Sequence, residues 1–277
     1  MISKGLYILA TPIGNLEDIS KRALKILNFS DIILCEDTRH SLKLLNHFKI
    51  KKPLVSYHKF NEKKNISKII QHLNGGKILT LISDAGTPTI SDPGSLLIKT
   101  CIENKIDIFP IPGPSAITTA MSVSGFDNKF LFFGFLPKTE NELQKKLSEL
   151  ATFEYSIIFF APSLKINFYL KNFKKFFSGR KILIAREISK VHETFYREEI
   201  ESIKLFKSPI KGELTVVISE KINKRKEVDL VKISKEIKKY LKKYSLKDVV
   251  ELMAKKEQIS KKKLYSLCLS LKNEKNS

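Results

Sequence analysis

The stretch LISDAGTPTISDPG, residues 81–94, decides the fold class and singles out one edge of the predicted sheet. It starts inside the apolar run Ile78–Ile82 and continues with glycines, prolines, hydroxyl residues and two aspartates. An apolar run followed by turn residues predicts a buried strand that ends in a rigid loop. Ligands of open α/β sheets bind beyond the carboxyl ends of the strands, so this loop is a candidate ligand site.

Short apolar runs elsewhere predict further strands, and segments with helical spacing lie between several of them. The predicted strands are Leu6–Ala10, Ile32–Cys35, Ile78–Ile82, Ile106–Phe109, Ser156–Ala161, Ile182–Ala185 and Leu214–Ser219. The helical segments carry apolar residues at Ile19, Ala23, Leu24 and Leu27, at Leu42, Leu45 and Phe48, at Ile66, Ile69, Ile70 and Leu73, and at Leu96, Leu97 and Cys101. Alternation of strands with helices predicts an α/β fold of βαβ units with a mostly parallel sheet.

Two boundaries divide the predicted chain. The proline-rich run FPIPGP, residues 109–114, is extended and stiff, and the charged run 221–228 precedes a purely helical pattern. We predict an N-terminal α/β domain at 1–112, a C-terminal α/β domain at 113–222 and a basic helical domain at 229–277. Ser245 with Asp248, and then Ser260, would begin the last two helices of a helix-turn-helix-like unit.

The charge of the chain is strongly positive and uneven. The formal net charge is +21, and residues 219–277 contribute 18 basic and 8 acidic side chains, a net charge of +10. A local basic excess predicts a polyanionic partner, most often nucleic acid. Two alternatives stay open: a lysine-rich composition of the whole chain, and a tail that serves packing or oligomerisation.

Several classes of protein are excluded by motif and spacing. The three cysteines form no CxxC pair, which favours a reducing cytosol over a disulfide framework or a cysteine zinc site. No signal peptide is visible, and the longest uncharged stretch, 108–126, contains three prolines, so we expect no membrane span. The chain lacks GxxxxGK[ST], GxGxxG and HExxH, and its five histidines do not cluster at metal spacings, so no metal is predicted.

The loop at 81–94 offers specific ligand chemistry. Asp84 is a carboxylate that can hold an amine, a ribose hydroxyl or a cation, and Gly86 lets a ligand approach the backbone closely. Asp92, in the sequence Asp-Pro-Gly, is expected to cap the following helix. Four other strand ends carry similar residues, namely 10–15, 35–39, 112–116 and 185–187. Five such loops in a chain with two α/β halves predict a cleft.

Motifs in chain order resemble the tetrapyrrole-methylase-like class of S-adenosylmethionine enzymes. They are LYILATPIGNLEDIS (6–20), ILCEDTRHS (33–41), SYHKFNE (56–62), LISDAGTPTISDPG (81–94) and IPGPSAITTAMSVSGF (111–126). Within this class they resemble the ribosomal RNA small-subunit methyltransferase I family, which methylates the ribose 2′-oxygen of a decoding-centre cytidine in 16S rRNA. FLFFGFLPK (130–138), AREISKVHETFYR (185–197), KGELTVVI (211–218) and the basic tail extend the resemblance over the whole chain. Phe160-Ala161 departs from the Glu-Ser that is more common in the family, and Glu198 from a common glycine.

The resemblance implies S-adenosylmethionine in the cleft between the two halves, with 16S rRNA in the small ribosomal subunit as the partner. It also implies a homodimer in the cytoplasm. The positions carried over as cofactor contacts are Leu9, Pro12, Asp84, Gly86, Thr87, Ser115, Ala116, Phe160, Ala161, Ala185 and Leu214.

The implied chemistry is an in-line displacement at a sulfonium methyl group, helped by a base near the ribose hydroxyl. The candidate bases are Glu36, Asp37 and His58, which the sequence does not rank, with Arg39 and Lys59 holding a phosphate or orienting a carboxylate. Asp37 with Arg39 can instead form a structural ion pair, and His58 can be an ordinary surface residue.

Two other functions compete with this one. A small-molecule methyltransferase of the tetrapyrrole type would use the same cleft, but the basic tail and the motifs EDTR and SYHKFNE argue against it. A non-enzymatic RNA-binding protein would not need the intact loops 84–88 and 112–116.

Overall fold

The computed structural model describes residues 2–221, 230–257 and 260–273. The chain divides into two compact units, residues 1–222 and residues 223–277. The boundary between residues 112 and 113 that the sequence predicts stays a prediction. The proline-rich run around it begins as a strand, and Pro110 lies on an outermost strand of a sheet, where its missing N–H costs least.

The first half of the larger unit is a parallel sheet, as the sequence predicts. Its strands are β1 Gly5–Leu9, β2 Ile32–Cys35, β3 Leu54–Ser56, β4 Ile78–Ile82 and β5 Ile108–Ile111. Its helices are α1 Lys21–Phe29, α2 Thr38–His47, α3 Glu62–Asn74 and α4 Ser95–Glu103. The order β3-β2-β4-β1-β5 is parallel throughout, so the carboxyl ends of all five strands meet at one edge.

Helices cover both faces of this sheet, which is why its strands are continuous apolar runs. One apolar cluster joins Leu27 of α1 and Leu45 of α2 to the sheet, and a second joins Leu73 of α3 and Leu97 of α4 to it. The Ser20 side chain fixes the start of α1 by accepting a hydrogen bond from the Ala23 N–H at 3.0 Å.

The second half contains a mixed sheet. Its strands are β6 Phe130–Phe135, β7 Ser156–Pro162, β8 Lys181–Arg186, β9 Thr194–Glu199 and β10 Glu213–Ile218, and its helices are α5 Ala116–Ser122, α6 Glu140–Leu150 and α7 Ile166–Phe176. In the order β6-β7-β10-β8-β9 only β6 and β7 are parallel. The prediction of mostly parallel strands was therefore wrong for this half. The link between β8 and β9, residues 187–193, is too short for a parallel crossover.

The smaller unit consists of three helices around its own apolar core. They are α8 Leu230–Tyr240, α9 Leu246–Glu257 and α10 Lys261–Asn273, and the core includes Ile237, Met253 and Cys268. The two expected caps are present. The Ser245 hydroxyl accepts a hydrogen bond from the Asp248 N–H at 3.3 Å, and that of Ser260 accepts one from the Lys263 N–H at 3.4 Å. In the described part of the chain no helix has the length and hydropathy to cross a membrane.

Candidate active site

The loop after β4 is tied to the loop after β1 by a pair of backbone hydrogen bonds. The Thr11 N–H donates to the Gly86 oxygen at 2.9 Å, and the Gly86 N–H donates to the Thr11 oxygen at 3.0 Å. The buried Thr11 hydroxyl also donates to the Ser83 carbonyl at 3.0 Å. Gly86 has a φ of +80°, a conformation that glycine adopts without strain. The two loops thus form one rigid edge at the carboxyl ends of β1 and β4.

A cavity of about 490 Å³ opens beside this edge, and its walls come from loops of the first half and from strands and loops of the second half. A volume of this size suits a ligand the size of a nucleoside derivative. Seven of the eleven predicted cofactor positions line it: Gly86, Thr87, Ser115, Ala116, Phe160, Ala161 and Leu214. The structure therefore brings together residues that lie more than a hundred positions apart in the sequence.

The other four predicted positions lie outside the cavity lining. Leu9 and Ala185 are wholly buried inside β1 and β8, and Pro12 is buried next to Thr11. The Asp84 carboxylate turns to the neighbouring strand end, where it accepts a hydrogen bond from the Asp37 N–H at 3.3 Å.

The wall from the second half is apolar and aromatic. The rings of Phe135 and Phe160 are 5.5 Å apart, and both line the cavity together with Ile90 and Leu164. Phe135 is 58% exposed and Leu164 is 83% exposed, so a ligand in the cavity would cover apolar surface that now faces water. Sequence reasoning missed Ile90, Phe135 and Leu164, since single apolar residues in loops or at strand ends carry no distinctive pattern.

Asp92 also lines the cavity, and its role differs from the one predicted. The residue before α4 is Gly94, and no side chain caps that helix, so the prediction that Asp92 caps it was wrong. Burial, and then the nearby carboxylates of Glu36 and Asp84, raise the pKa of Asp92 to about 6. A smaller opposing effect comes from a hydrogen bond with the Ser83 side chain. Asp92 is thus a carboxyl group at the cavity wall whose pKa lies well above the usual range of an aspartate.

Glu36 belongs to the same group of carboxylates. Burial raises the pKa of Glu36, the negative charge of Asp84 raises it further, and the nearby His58 lowers it. Two of the predicted bases, Glu36 and His58, therefore lie near each other beside the carboxyl ends of β2 and β3. Neither lines the cavity itself.

The third predicted base, Asp37, is engaged with Arg39. The Asp37 carboxylate caps α2 by accepting the Arg39 N–H at 2.8 Å, and it pairs with the Arg39 guanidinium at 3.0 Å. These hydrogen bonds from Arg39 lower the pKa of Asp37 to about 2. The contacts favour the structural ion pair, while Arg39 itself is 88% exposed.

His58 lies in a turn that leads into α3. Its Nδ1 accepts a hydrogen bond from the Phe60 N–H at 3.2 Å, and the Asn61 side chain accepts one from the His58 N–H at 2.8 Å. Nδ1 is therefore the unprotonated nitrogen in this arrangement, and Nε2 carries the proton of the neutral ring.

A second connection between the two halves lies in the turn after β8. Lys190 bridges Glu187 and Glu213 with two contacts of 3.0 Å, and the Ser189 hydroxyl donates to the Asp18 carboxylate. Gly14 packs so closely on this turn that a Cβ at that position would lie 2.4 Å from the Lys190 Cγ. This turn fixes the loop after β1 from the side of the second sheet.

The described residues contain no set of side chains that could bind a metal ion. Within 2–221, 230–257 and 260–273, no group of three or more His, Cys, Asp and Glu residues is arranged to hold an ion.

The fold and the cavity define the class of protein. Residues 5–204 match the family of tetrapyrrole (corrin/porphyrin) methylases. A crystal structure of the methyltransferase CobJ superposes with a TM-score of 0.60 at 16% identity, covering 79% of this chain and 95% of that one. A uroporphyrin-III C-methyl transferase from Thermus thermophilus, complexed with S-adenyl homocysteine, gives 0.54 at 13% identity, covering 79% and 98%. At these identities the two structures establish the fold alone.

Relatives at higher identity give the particular family. Proteins named ribosomal RNA small subunit methyltransferase I are 45% identical in Thermotoga maritima, covering 78% of this chain and 98% of the relative, and 38% identical in Rickettsia prowazekii, covering 96% and 97%. The protein of that name from Buchnera aphidicola is 40% identical and covers 94% of each chain. The chain belongs to the ribosomal RNA small subunit methyltransferase I family of the tetrapyrrole methylases, and it is a methyltransferase.

Proposed function

We propose that the protein transfers a methyl group from S-adenosylmethionine to the ribose 2′-oxygen of a decoding-centre cytidine in 16S rRNA. The observation that carries the proposal is the cavity lined by both halves of the larger unit in a chain related to ribosomal RNA methyltransferases. The cytidine and the 2′-oxygen come from the motif resemblance described above.

The residues around the cavity fit S-adenosylmethionine. The apolar surfaces of Phe160, Ala161 and Leu214 suit an adenine ring, and the close-approaching backbone at Gly86 suits the polar edges of a nucleoside. When bound, the cofactor supplies an activated methyl group on a sulfonium sulfur. The protein's own task is to hold the acceptor oxygen in line with that methyl group, to exclude water and to receive a proton.

The substrate is proposed to bind through charge as well as shape. Lysines of the 223–277 unit and of the cavity side would neutralise phosphates, and the target base must be unstacked for its ribose to reach the cavity. We further propose a homodimer in the cytoplasm, as the family resemblance implies. The predicted cofactor and catalytic positions, including the four outside the cavity lining, belong to this proposal.

The testing experiment is methyl transfer from labelled S-adenosylmethionine, followed by mapping of the modified nucleotide. Substrates are small ribosomal subunits and naked 16S rRNA, both from cells that lack the modification, with fully modified subunits as the matched control. We expect one 2′-O-methyl cytidine in the decoding centre of the unmodified substrate and no transfer to the control. Transfer only to a tetrapyrrole or another small acceptor would overturn the RNA assignment and leave the cofactor assignment standing.

A further inference from the structure

Phe60 is the most exposed aromatic residue among those that the structure describes. It is 93% exposed, whereas Phe135, the next, is 58% exposed. Its ring touches the His58 ring edge-on, with the two centroids 6.0 Å apart, and otherwise faces water. A single exposed apolar side chain is ordinary on a protein surface, so the surroundings of Phe60 decide whether it serves a ligand.

The turn that carries Phe60 is held in one conformation by side-chain hydrogen bonds. The Phe60 N–H donates to His58 Nδ1 at 3.2 Å, and the His58 N–H donates to Asn61 Oδ1 at 2.8 Å. The side-chain amides of Asn61 and Asn65 both donate to the Ser56 carbonyl, at 3.0 and 3.1 Å, which ties the turn to the end of β3 and to α3. The ring is thus presented on a fixed support, so less entropy is lost when a flat partner stacks on it.

The turn lies at the same edge of the first sheet as the cavity. The Tyr57 N–H donates to the Cys35 carbonyl at 2.8 Å, so the chain leaves β3 beside the end of β2. The Asp37 N–H donates to the Asp84 carboxylate at 3.3 Å, which joins the end of β2 to the loop that lines the cavity at residues 85–87. Because β3 lies two strands from β4, the ends of these strands are roughly 10 Å apart across the sheet.

Lysines flank the exposed ring along the chain. Lys59 precedes it, Lys63 and Lys64 lie in the first turn of α3, and all three are exposed. In the part of the chain that the structure describes, none of the three takes part in an ion pair. The carboxylate of Glu62, also in this first turn, accepts a hydrogen bond from the Tyr57 hydroxyl at 3.2 Å. The net charge beside the ring is therefore positive, and these ammonium groups are available to phosphates.

We propose that Phe60 is a stacking platform for an rRNA base next to the methylated nucleotide, and that Lys59 binds the phosphate beside that base. The inference rests on the function proposed above. With the target ribose in the cavity, the RNA strand passes along the carboxyl edge of the first sheet and over the turn at residues 57–61. Aromatic rings among basic side chains are the means by which proteins bind unstacked bases of single-stranded RNA.

A protein partner suits this surface less well. The buried centres of protein interfaces are enriched in aromatic residues but depleted in lysine, whereas three lysines lie within four positions of this ring. An RNA strand needs both a positive charge along its path and a flat face for its bases. Contact with a second copy of this chain is the alternative that the experiment separates from RNA binding.

The experiment measures the affinity of Phe60 variants for unmodified small ribosomal subunits, together with single-turnover methylation of the same subunits. Phe60→Ala should weaken binding by roughly 10–100-fold, because one stacked base is lost. Phe60→Trp keeps a flat ring and should bind within about threefold of the wild type. The matched control is Phe29→Ala, at an exposed phenylalanine that ends α1 at the opposite edge of the sheet, and it should match the wild type.

The phosphate contact is tested by Lys59→Gln. The slope of the logarithm of affinity against the logarithm of salt concentration should become shallower by about 1. Lys51→Gln, at an exposed lysine before the amino end of β3, should leave that slope unchanged. Equal changes of slope in the two variants would overturn the contact assigned to Lys59.

Cofactor binding, folding and oligomeric state make the test decisive. Cofactor affinity and circular dichroism should be unchanged in Phe60→Ala, since Phe60 lies outside the cavity lining. Wild-type affinity of Phe60→Ala for subunits would overturn the stacking role, as would equal weakening in Phe60→Ala and Phe60→Trp. Conversion of a dimer to a monomer by Phe60→Ala, measured by sedimentation, would overturn it in favour of a subunit contact. No transfer by the wild type to any ribosomal substrate would overturn the proposed function, whereas an unimpaired Phe60→Ala beside an active wild type overturns only the role of Phe60.

Discussion

Arg180 is a buried cation that organises the second half from a single position. It is 2% exposed, and burial lowers its pKa. Its guanidinium group donates to the backbone carbonyls of Ala151, Phe153, Tyr155 and Ser219. These carbonyls belong to the segment between α6 and β7 and to the residue that follows β10, so one side chain joins the two ends of neighbouring strands.

Replacement of Arg180 by Met should therefore destabilise the protein. The Ser219 carbonyl would lose its donor in a buried hydrogen bond and the other three carbonyls theirs in partly buried ones, so we expect the free energy of unfolding to fall by roughly 3 kcal/mol. Urea denaturation measures this change. The control is Arg22→Met, at an exposed position on α1, which should change stability by less than about 0.5 kcal/mol. Equal effects of the two substitutions would contradict the role of the carbonyl contacts.

Asp92 should make stability depend on pH in a predictable direction. Its pKa is about 6 in the folded protein and ~3.9 in an unfolded chain, so the folded state binds the proton more tightly. The stabilising effect of that proton is complete below pH ~4 and is lost as the pH rises to about 6. The melting temperature of Asp92→Asn, relative to that of the wild type, should therefore be higher at pH 7 than at pH 4. Calorimetric scans at both pH values check this, and a constant difference would contradict it.

The sequence could not reveal that Asp92 lies in the cavity wall. An Asp-Pro-Gly sequence before an amphipathic segment is typical of a helix cap, and the local signal is sound by itself. What changes its meaning is the approach of Glu36, which lies 56 positions earlier and comes near Asp92 because β2 and β4 are neighbours in the sheet, together with Asp84, which lies in the same loop as Asp92. In contrast, Gly86 and Thr87 were predictable because their turn chemistry follows a buried strand directly.

At the scale of elements, the conformation of the loop between β4 and α4 requires a glycine at position 94. Gly94→Ala would place a Cβ 2.7 Å from the Leu81 Cδ2 and 2.8 Å from the Thr89 Cγ2, at a φ of +130°. We expect a loss of about 1–3 kcal/mol in unfolding free energy and a weaker cofactor affinity, because the loop must shift. Denaturation and calorimetry measure the two effects.

The control for this change is Gly179→Ala. Gly179 also has a positive φ, +77°, but nothing lies within 4 Å of the position of its Cβ. It should cost about 1 kcal/mol and leave cofactor affinity unchanged. A loss of affinity in Gly179→Ala as large as that in Gly94→Ala would show that the loop packing is not responsible.

The strand β6 offers a second element-scale prediction, since its two ends face different surroundings. Phe135 lines the cavity against Phe160, whereas Phe130, at the start of the strand, does not. Phe135→Ala should weaken cofactor affinity about tenfold, through lost apolar contact of roughly 1–2 kcal/mol. Phe130→Ala should leave it unchanged. Calorimetric titration compares them, and equal affinities for the two variants would remove Phe135 from the binding surface.

The sequence predicts seven of the ten strands among the described residues, and the three that it misses have physical reasons. β3 has only three residues, and β9 is an edge strand with charged residues at Arg197, Glu198 and Glu199. β6 is also an edge strand, and its pairing with β7 shifts between Phe132 and Gly134, where Gly134 has a φ of +85°. Strand direction in the second half was not predictable, because apolar runs carry no information on which strands pair.

At the scale of the whole molecule, the basic charge and the cavity belong largely to different parts of the chain. Every residue that lines the cavity lies in the 1–222 unit, whereas residues 219–277 carry about half of the net charge. The alignment with the Thermotoga relative covers 98% of that protein but 78% of this chain. About a fifth of this chain therefore has no counterpart in the relative. Cofactor binding should thus depend on the larger unit.

Removal of residues 223–277 should accordingly leave cofactor affinity unchanged and weaken binding to unmodified small subunits. Fewer lysines would contact phosphates, so the logarithm of affinity should also fall less steeply with the logarithm of salt concentration. Filter binding at several salt concentrations measures both effects against the full chain. An unchanged salt slope would show that these lysines do not contact RNA.

The strand orders have a consequence for the time at which the protein becomes functional during synthesis. β10 is the last strand of the second sheet to be made, yet it lies at the centre, hydrogen-bonded to β7 on one side and β8 on the other. Until it leaves the ribosome, the pairs β6–β7 and β8–β9 have no strand to join them, and Leu214 and Thr215 are missing from the cavity wall. A nascent chain shorter than about 218 residues therefore exposes unpaired strand edges, so this half completes its fold late and depends on protection from aggregation until then.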